Sequence, residues 1–241
     1  MEVEQFYDKF SVRQANAGVH RRHVAIFQWL KRLGMLPYHN VLEIGCGIGA
    51  VTGLVLNYIK RGMVVANDIS GSSIDIAHKR LAKFRNVTFI KGDYLSLEIE
   101  GPFDVIFLPD VLEHIPLVNH KVLFRKLAAV LNENGFILIH IPEPHYLAWE
   151  TDRDKSSLQV IDQPVYLSEL VGNLEGSGLN VEFLRNYSIW NEAADYQVIQ
   201  LKRRNISVDF TRHLKIKSSF LAKLWYKVMK IFGVERKIIP L

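Results

Sequence analysis

Short apolar runs alternate with helical patterns along most of the chain. Apolar runs without period-two alternation are typical of strands that are buried on both faces. Helical patterns between such strands predict βαβ units and a parallel sheet. We therefore predict an α/β fold with a doubly wound, seven-stranded, mostly parallel sheet, an N-terminal helical cover and a C-terminal basic helix. The predicted strands are 40–44, 63–66, 87–90, 103–108, 136–141, 180–187 and 196–201, and the predicted helices are 18–33, 50–60, 70–84, 117–131 and 168–177.

The composition is that of a globular chain with enough apolar material for a large core. Of 241 residues, 49% are hydrophobic and 23% are charged, which excludes disorder, collagen-like repeats and a disulfide scaffold. The single cysteine, Cys46, cannot form an internal disulfide, and this favours a reducing compartment. No run reaches the roughly 18 apolar residues of a spanning helix, and the first residues lack a signal-peptide pattern. We expect a cytoplasmic protein.

The net charge of +5 is distributed unevenly. Residues 202–241 hold 11 Lys or Arg and 2 Asp or Glu, whereas residues 1–201 hold 19 and 23. The body is therefore slightly acidic and the tail strongly basic. This asymmetry predicts a surface-binding appendage rather than a basic groove, and we expect no nucleic-acid partner.

A glycine-rich turn, EIGCGIG at 43–49, follows the first predicted strand. Alternate glycines let the backbone turn tightly and approach a ligand, to which the next helix presents free N–H groups. The missing Gly-Lys-Ser/Thr argues against a P-loop enzyme. Gly45, Gly47 and Ala50 also satisfy G-x-G-x-x-G/A, and Asp68 follows Gly45 by 23 residues. An NAD(P)-dependent oxidoreductase is thus one alternative, and a tight turn without a ligand is another.

Three further features favour a different nucleotide. Glu43, at a strand end, would repel a pyrophosphate but attract a cationic ligand. The third predicted strand ends in Gly92-Asp93-Tyr94, a carboxylate and a ring suited to adenine. The fourth predicted strand continues into FDVIFLPDVLEHI at 103–115.

Together these motifs resemble those of the class I S-adenosylmethionine-dependent methyltransferases. The resemblance covers about residues 38–141 and implies a Rossmann-like methyltransferase fold with S-adenosylmethionine as cofactor. One departure is Asn67, where many relatives have a small apolar residue or glycine before the acid. The cofactor-binding residues that the resemblance implies are Glu43, Gly45, Cys46, Gly47, Gly49, Asp68, Ile69, Gly92, Asp93, Tyr94 and Asp110.

The resemblance also implies a role for these positions. Residues 43–49 would surround the methionine part of the cofactor, and Asp68 would accept hydrogen bonds from both ribose hydroxyls. Ile69 would pack on adenine, Asp93 would bond its amino group and Tyr94 would flank the ring.

Candidate catalytic residues follow the fourth and fifth predicted strands. Methyl transfer needs an in-line nucleophile near the methyl group, and a hydroxyl acceptor benefits from a base. We predict His114 as that base, with a loop-holding role as the alternative; Asp110 would lie near the methionine portion or the methyl. His140 and His145 are predicted to face the acceptor. The His/Glu run at 140–145 lacks metal-ligand spacing, so we predict no metal.

The N-terminal segment resembles the lid that these enzymes fold over the cofactor. Arg22 could pair with the methionine carboxylate and Tyr7 could border the methyl, although a solvated helix face also explains Arg22. Residues 142–165 lie where relatives insert acceptor-binding elements. The predicted domains are a lid at 1–36, a Rossmann-like methyltransferase domain at 37–204 and a basic amphipathic extension at 205–241.

The extension has a basic amphipathic pattern over 214–232. Such a helix favours binding to an anionic membrane surface. The alternatives are docking on the protein's own sheet and a dimer contact. We therefore expect a monomer or a homodimer. The apolar stripe consists of Phe220, Leu221, Leu224, Trp225, Val228 and Phe232.

Our hypothesis is a cytoplasmic methyltransferase, peripheral at the inner membrane face. It would act on a small-molecule or glycan-type hydroxyl acceptor that is lipid-linked and reached through the tail. The alternatives are the NAD(P)-dependent oxidoreductase and a non-catalytic cofactor-binding module, and O, N and C all stay open as the methylated atom.

Deleting residues 214–241 should abolish binding to anionic vesicles, because it removes most of the basic residues of the tail together with the apolar stripe. Co-sedimentation with phosphatidylserine-containing vesicles measures this, and neutral phosphatidylcholine vesicles are the control. Equal pelleting of the full and the shortened chain would contradict the membrane interpretation.

Overall fold

A seven-stranded sheet organises the residues that the computed structural model describes, 18–153 and 162–204. A 3-10 turn, Leu112–His114, follows the fourth strand. The strands are β1 Val41–Ile44, β2 Val64–Asp68, β3 Val87–Lys91, β4 Phe103–Pro109, β5 Leu131–Pro142, β6 Leu179–Tyr187 and β7 Tyr196–Arg203. The helices are α1 Arg21–Arg32, α2 Ala50–Tyr58, α3 Gly71–Arg80, α4 Leu117–Val130, α5 Pro144–Arg153 and α6 Leu167–Leu174.

The strand order confirms the predicted mostly parallel, doubly wound sheet. The order is β3-β2-β1-β4-β5-β7-β6, and only β7 runs antiparallel to its neighbours. The chain moves outward from β1 to β3 and then crosses to the other side of β1 to form β4. In open α/β sheets the crevice beyond such a switch point binds ligands, so the ends of β1 and β4 face the expected site.

The two faces of the sheet bury separate apolar clusters. Leu42 of β1 and Ile106 of β4 belong to one cluster, whereas Val41 and Phe107 belong to the other. Successive side chains of a strand point to opposite faces, and β4 is covered on both. The apolar run at 105–109 in β4 follows from this double burial.

The N-terminal cover begins with α1, which packs on the second apolar cluster through Ile26, Trp29 and Leu30. Tyr7 and the tail at 205–241, with its amphipathic stretch at 214–232, lie outside the described residues. The lid at 1–36 and the basic extension therefore stay predictions. Of the helices in the described ranges, none combines the length and the apolar content needed to cross a bilayer.

The prediction from the sequence pattern lacks one helix of the structure and starts one strand too late. Helix α5 begins at Pro144, a position where proline is tolerated because the first helical N–H has no partner within the helix. Strand β5 begins at Leu131 rather than at 136. The exposed polar residues Glu133 and Asn134 conceal this strand start from an apolar pattern.

The buried side chain of Asn67 links β2 to the end of β3 through hydrogen bonds. Its side-chain amide donates to the carbonyl oxygens of Ile90 at 3.0 Å and Gly92 at 2.9 Å. A small apolar residue could make neither bond, so the departure from the family pattern has a structural purpose in this chain.

Replacing Asn67 with alanine should lower the free energy of unfolding by about 1–3 kcal/mol, because two partly buried carbonyl oxygens lose their donor. Urea denaturation measures the change. Asn57→Ala is the matched control, since that exposed amide donates to Gly53 O within α2 and its loss should cost less than about 0.5 kcal/mol. Equal losses in the two variants would contradict the assignment.

Candidate cofactor and acceptor site

A cavity of about 500 Å³ lies at the carboxyl edge of the sheet. This volume is in the range of small-molecule sites. Its walls come from α1, the turn after β1, the end of β2, the turn after β3 and the segment after β4. The predicted site residues that line it are Arg22, Glu43, Gly45, Cys46, Gly47, Asp68, Ile69, Gly92, Asp93, Tyr94, Asp110 and His114.

The glycine turn forms one wall because its backbone adopts the left-handed conformation. Gly45 and Gly47 have φ angles of 78° and 51°, values that side-chain-bearing residues rarely adopt. A Cβ at Gly45 would lie 2.2 Å from Cγ2 of Val111. Gly49, the last glycine of the motif, is not among the lining residues and instead packs near Leu81. The motif thus serves both ligand approach and close packing.

Asp68 joins the glycine turn to the start of α3. Its Oδ2 accepts the backbone N–H of Gly47 at 2.7 Å, and its Oδ1 accepts that of Ser70 at 2.8 Å. Each carboxylate oxygen has a second lone pair. Asp68 therefore holds the two segments together and presents a carboxylate, the group that accepts ribose hydroxyls, at the wall of the cavity.

Glu43 is a buried acid on the cavity wall. Thr52, on α2, donates its hydroxyl to Oε2 at 2.6 Å, while Oε1 has no hydrogen-bond partner among the described residues. Burial raises the pKa of Glu43 to about 8; the Thr52 bond opposes this shift and nearby Asp68 adds to it. An acid of this kind favours a cationic ligand, which would stabilise its ionised form.

The turn after β3 supplies the predicted adenine contacts. Asp93 is exposed and its Oδ1 accepts the N–H of Leu95 at 3.0 Å, which fixes the turn. Tyr94 is buried, and the Nζ atom of Lys126 lies 5.7 Å from its ring centroid. The same ammonium group donates to the carbonyl oxygens of Leu95 and Leu97. This end of the cavity is therefore fixed without a ligand.

Asp110 follows β4 in a left-handed conformation, with a φ of 53°. Such a backbone is costly for a residue with a side chain and often occurs at functional sites. Its Oδ1 lies 2.9 Å from Nδ1 of His140, and its Oδ2 forms an ion pair with Nε of Arg22 at 3.0 Å. Burial by itself raises the pKa of Asp110, but Arg22 and His140 outweigh it and lower the pKa to about 2. The carboxylate is held ionised.

His140 lies behind Asp110 and is not among the residues that line the cavity. Its side chain is fully buried, with Nε2 2.7 Å from the hydroxyl of Tyr187 and the ring stacked on Tyr196 at 4.8 Å. Arg22 donates to the hydroxyl of Tyr196 at 3.2 Å. His140 therefore supports Asp110 from behind, while its predicted contact with an acceptor stays a prediction.

His145 lies on α5 with 79% of its side chain exposed, and it is also not among the lining residues. Its Nδ1 lies 2.9 Å from Oε1 of Glu143. Within 18–153 and 162–204, no three His, Cys, Asp or Glu side chains are grouped to hold a metal ion.

His114 ends the 3-10 turn and lines the cavity, as a base that reaches a ligand must. Its Nδ1 lies 3.0 Å from Oδ1 of Asp162, and its Nε2 lies 3.8 Å from Oε1 of Glu113. Burial raises the pKa of Glu113. The same carboxylate contacts serve the loop-holding role that the sequence left open.

Some residues of the site were missed by sequence reasoning. His20 lines the cavity, and its ring stacks on that of His23 at 3.8 Å. The paired histidines three residues apart are a signal that could have been used. Thr52 and Asp162 give no such signal, since their partners are distant in sequence and become neighbours only in the fold.

The donor set fits S-adenosylmethionine. A sulfonium and an ammonium group suit a wall that contains Glu43 with its unpartnered oxygen, and a ribose suits the accepting oxygens of Asp68. The glycine turn allows close approach, and the buried ring of Tyr94 provides an apolar face for adenine.

Comparisons with known proteins point in the same direction. A family model described as a methyltransferase domain matches residues 41–135. Trans-aconitate 2-methyltransferase from Methylobacterium nodulans is 26% identical over 165 residues, which cover 68% of this chain and 60% of that protein. The tRNA N(3)-methylcytidine methyltransferase trm141 from Schizosaccharomyces pombe is 26% identical over 245 residues, which cover 94% of this chain and 93% of that protein.

A solved structure has the same fold. Magnesium protoporphyrin IX methyltransferase from Synechocystis, with bound S-adenosylhomocysteine, superposes with a TM-score of 0.59 at 19% identity, over 75% of this chain and 81% of that chain. These matches are to methyltransferases and give the NAD(P)-dependent oxidoreductase alternative no support. The domain match and the shared fold agree: residues 41–135 are similar to a methyltransferase domain, and the described part of the chain has the fold of the class I S-adenosylmethionine-dependent methyltransferases.

Proposed function

We propose that this protein methylates a hydroxyl group of a small-molecule or glycan-type acceptor, with S-adenosylmethionine as the methyl donor. The observation that carries the proposal is that His114 lines the same cavity as Glu43 and Asp68. A candidate base and the candidate cofactor contacts thus share one cavity. A lipid-linked acceptor and a peripheral membrane location rest on the sequence of 214–232 alone.

The chain's own residues would bind and orient the reactants. S-adenosylmethionine supplies an electrophilic methyl group on a sulfonium sulfur. Asp68 would accept the ribose hydroxyls, Glu43 would balance positive charge, and Asp93 with Tyr94 would hold the adenine. Arg22, fixed on the wall by Asp110, would attract the carboxylate of the methionine portion. Holding reactants in line in this way can supply much of the rate acceleration.

On the acceptor side, His114 would take the proton of the hydroxyl as its oxygen is methylated. General-base assistance of this kind contributes about 10²–10⁴-fold to a rate. Residues 142–165 would contact the rest of the acceptor, because helix α5 follows directly on the carboxyl end of β5.

RNA is a second candidate acceptor, favoured by one observation. The relative named as a tRNA N(3)-methylcytidine methyltransferase aligns along 93% of its own length. The slightly acidic body of the chain supports the small-molecule proposal instead, because nucleic-acid binding depends on neutralising phosphates with Lys and Arg.

Incubating the purified protein with methyl-labelled S-adenosylmethionine and cell extract should transfer the label to a low-mass product, detected by mass spectrometry. Asp68→Ala should abolish both the product and the binding of S-adenosylhomocysteine, because it removes the ribose acceptor. Isothermal titration measures the binding. Asp75→Ala is the control, since that exposed acid lies on the neighbouring helix α3.

Each result selects one function. Label in the RNA fraction would favour the RNA acceptor over the small molecule. Binding of S-adenosylhomocysteine without any labelled product would favour the non-catalytic cofactor-binding module. Absence of binding, or binding that is unchanged in Asp68→Ala, would overturn the proposed function.

Binding of S-adenosylmethionine near pH 7 should release a proton from Glu43. The raised pKa of about 8 keeps this acid largely neutral without a ligand, and an adjacent cation lowers the pKa so that the proton leaves. Affinity should therefore rise with pH up to about 8 and then lose this dependence. Titration calorimetry in phosphate and in Tris buffer counts the protons that are released.

Glu43→Gln isolates this contribution from the titration of the ligand's own amino group. The variant should release fewer protons than the wild-type protein, and Asp75→Asn should match the wild type. Equal proton release by wild type and Glu43→Gln would contradict the role of Glu43.

A further inference from the structure

Asp162 reaches the cavity wall from a part of the chain outside the matched methyltransferase domain. It lies between α5 and α6, whereas the family match ends at residue 135. Its Oδ1 lies 3.0 Å from Nδ1 of His114. Of these two side chains, 11% and 13% are exposed, so water and salt screen the pair less than they would screen a surface pair.

Neighbouring contacts fix the position of Asp162. The backbone N–H of Gln163 donates to the carbonyl oxygen of Glu113 at 3.2 Å, and its side-chain amide donates to that of Ile115. Val165, two residues further, is 2% exposed within the apolar core. Backbone and core contacts therefore hold the backbone at Asp162 beside the 3-10 turn that carries His114.

The contact with Asp162 determines which nitrogen of His114 carries the proton. A carboxylate can only accept a hydrogen bond, so Nδ1 must be the protonated nitrogen of the neutral ring. The basic lone pair is then on Nε2. Oε1 of Glu113 lies 3.8 Å from Nε2, and the ring of His114 also interacts electrostatically with Asp110.

We propose that Asp162 is a positioning residue that holds His114 in the Nδ1–H tautomer, with Nε2 as the base for the acceptor hydroxyl. The role as a base rests on the proposed function. In that step the hydroxyl proton moves from oxygen to Nε2, and the electron pair of the O–H bond stays on oxygen for the new bond. Asp162 stays ionised and offsets the charge of the imidazolium.

Nuclear magnetic resonance of the full chain with isotope-labelled histidine tests the tautomer without any acceptor. The His114 signals are assigned as those that disappear in His114→Asn. Wild type should show Nδ1–H, and Asp162→Asn should show a mixture of tautomers and a measured imidazole pKa lower by about one unit or more. Asp162→Glu should restore the wild-type tautomer. Glu133→Gln removes an exposed acid near the opposite end of β5 and should leave the signals unchanged.

The rate of label transfer tests the consequence for catalysis. With methyl-labelled S-adenosylmethionine and the low-mass fraction of cell extract, Asp162→Asn should lower the rate by about 10–100-fold, the loss typical when a metal-ligating histidine loses the carboxylate that orients it. The acid limb of its pH–rate profile should move to lower pH. Affinity for S-adenosylhomocysteine should not change, and Asp162→Glu should recover part of the rate.

The two experiments separate this inference from the proposed function. An unchanged tautomer in Asp162→Asn would overturn the inference, and so would a rate loss that parallels a loss of S-adenosylhomocysteine affinity and is not rescued by Asp162→Glu. Absence of label transfer by the wild-type protein would overturn the proposed function and the catalytic part of the inference. The tautomer would then still decide whether Asp162 positions His114.

Discussion

The ionised carboxylate of Asp110 is the contact on which the rest of the site depends. It joins the helical cover to the sheet, because Arg22 of α1 and His140 of β5 both bind it. Its left-handed backbone also directs the chain from β4 into the 3-10 turn that carries His114. A strained backbone persists only where its surroundings determine it fully. Here two side-chain partners and a 2.7 Å hydrogen bond from its own N–H to His140 O provide that determination.

Several acidic side chains line this cavity, and the protein gives them different protonation states. Asp110 is held ionised by its cationic partner, whereas burial favours the neutral form of Glu43. The carboxylate of Asp68 accepts hydrogen bonds from two backbone N–H groups. Different environments thus give chemically similar side chains different protonation states. A cavity of this kind can receive a positive ligand without strong repulsion among its own carboxylates.

Much of the fold could be predicted from the sequence. Strand β4 is buried on both faces and therefore has an apolar run at 105–109, which identifies it without any alternation of apolar and polar residues. Most of the nucleotide wall could also be predicted, since a glycine turn needs glycines at fixed spacing. What could not be predicted depends on distant partners. Helix α5 starts at a proline that a linear pattern takes as a break. The contact of Asp162 with His114 could not be predicted, because it depends on the hydrogen bonds that Gln163 donates to the carbonyl oxygens of residues 113 and 115.

The single reversed strand adds a hairpin at the edge of the sheet where the cavity lies. Because β7 runs against β5 and β6, the end of β6 and the start of β7 meet at the carboxyl edge, where Tyr187 pairs with Tyr196. In their connection at 188–195, the ring of Trp190 lies 6.0 Å from the ring of His20, a residue that lines the cavity. A hairpin loop can change length at little cost in chain entropy. The edge of the sheet therefore carries a segment that can gain or lose residues over evolution while the strands beneath it stay in register.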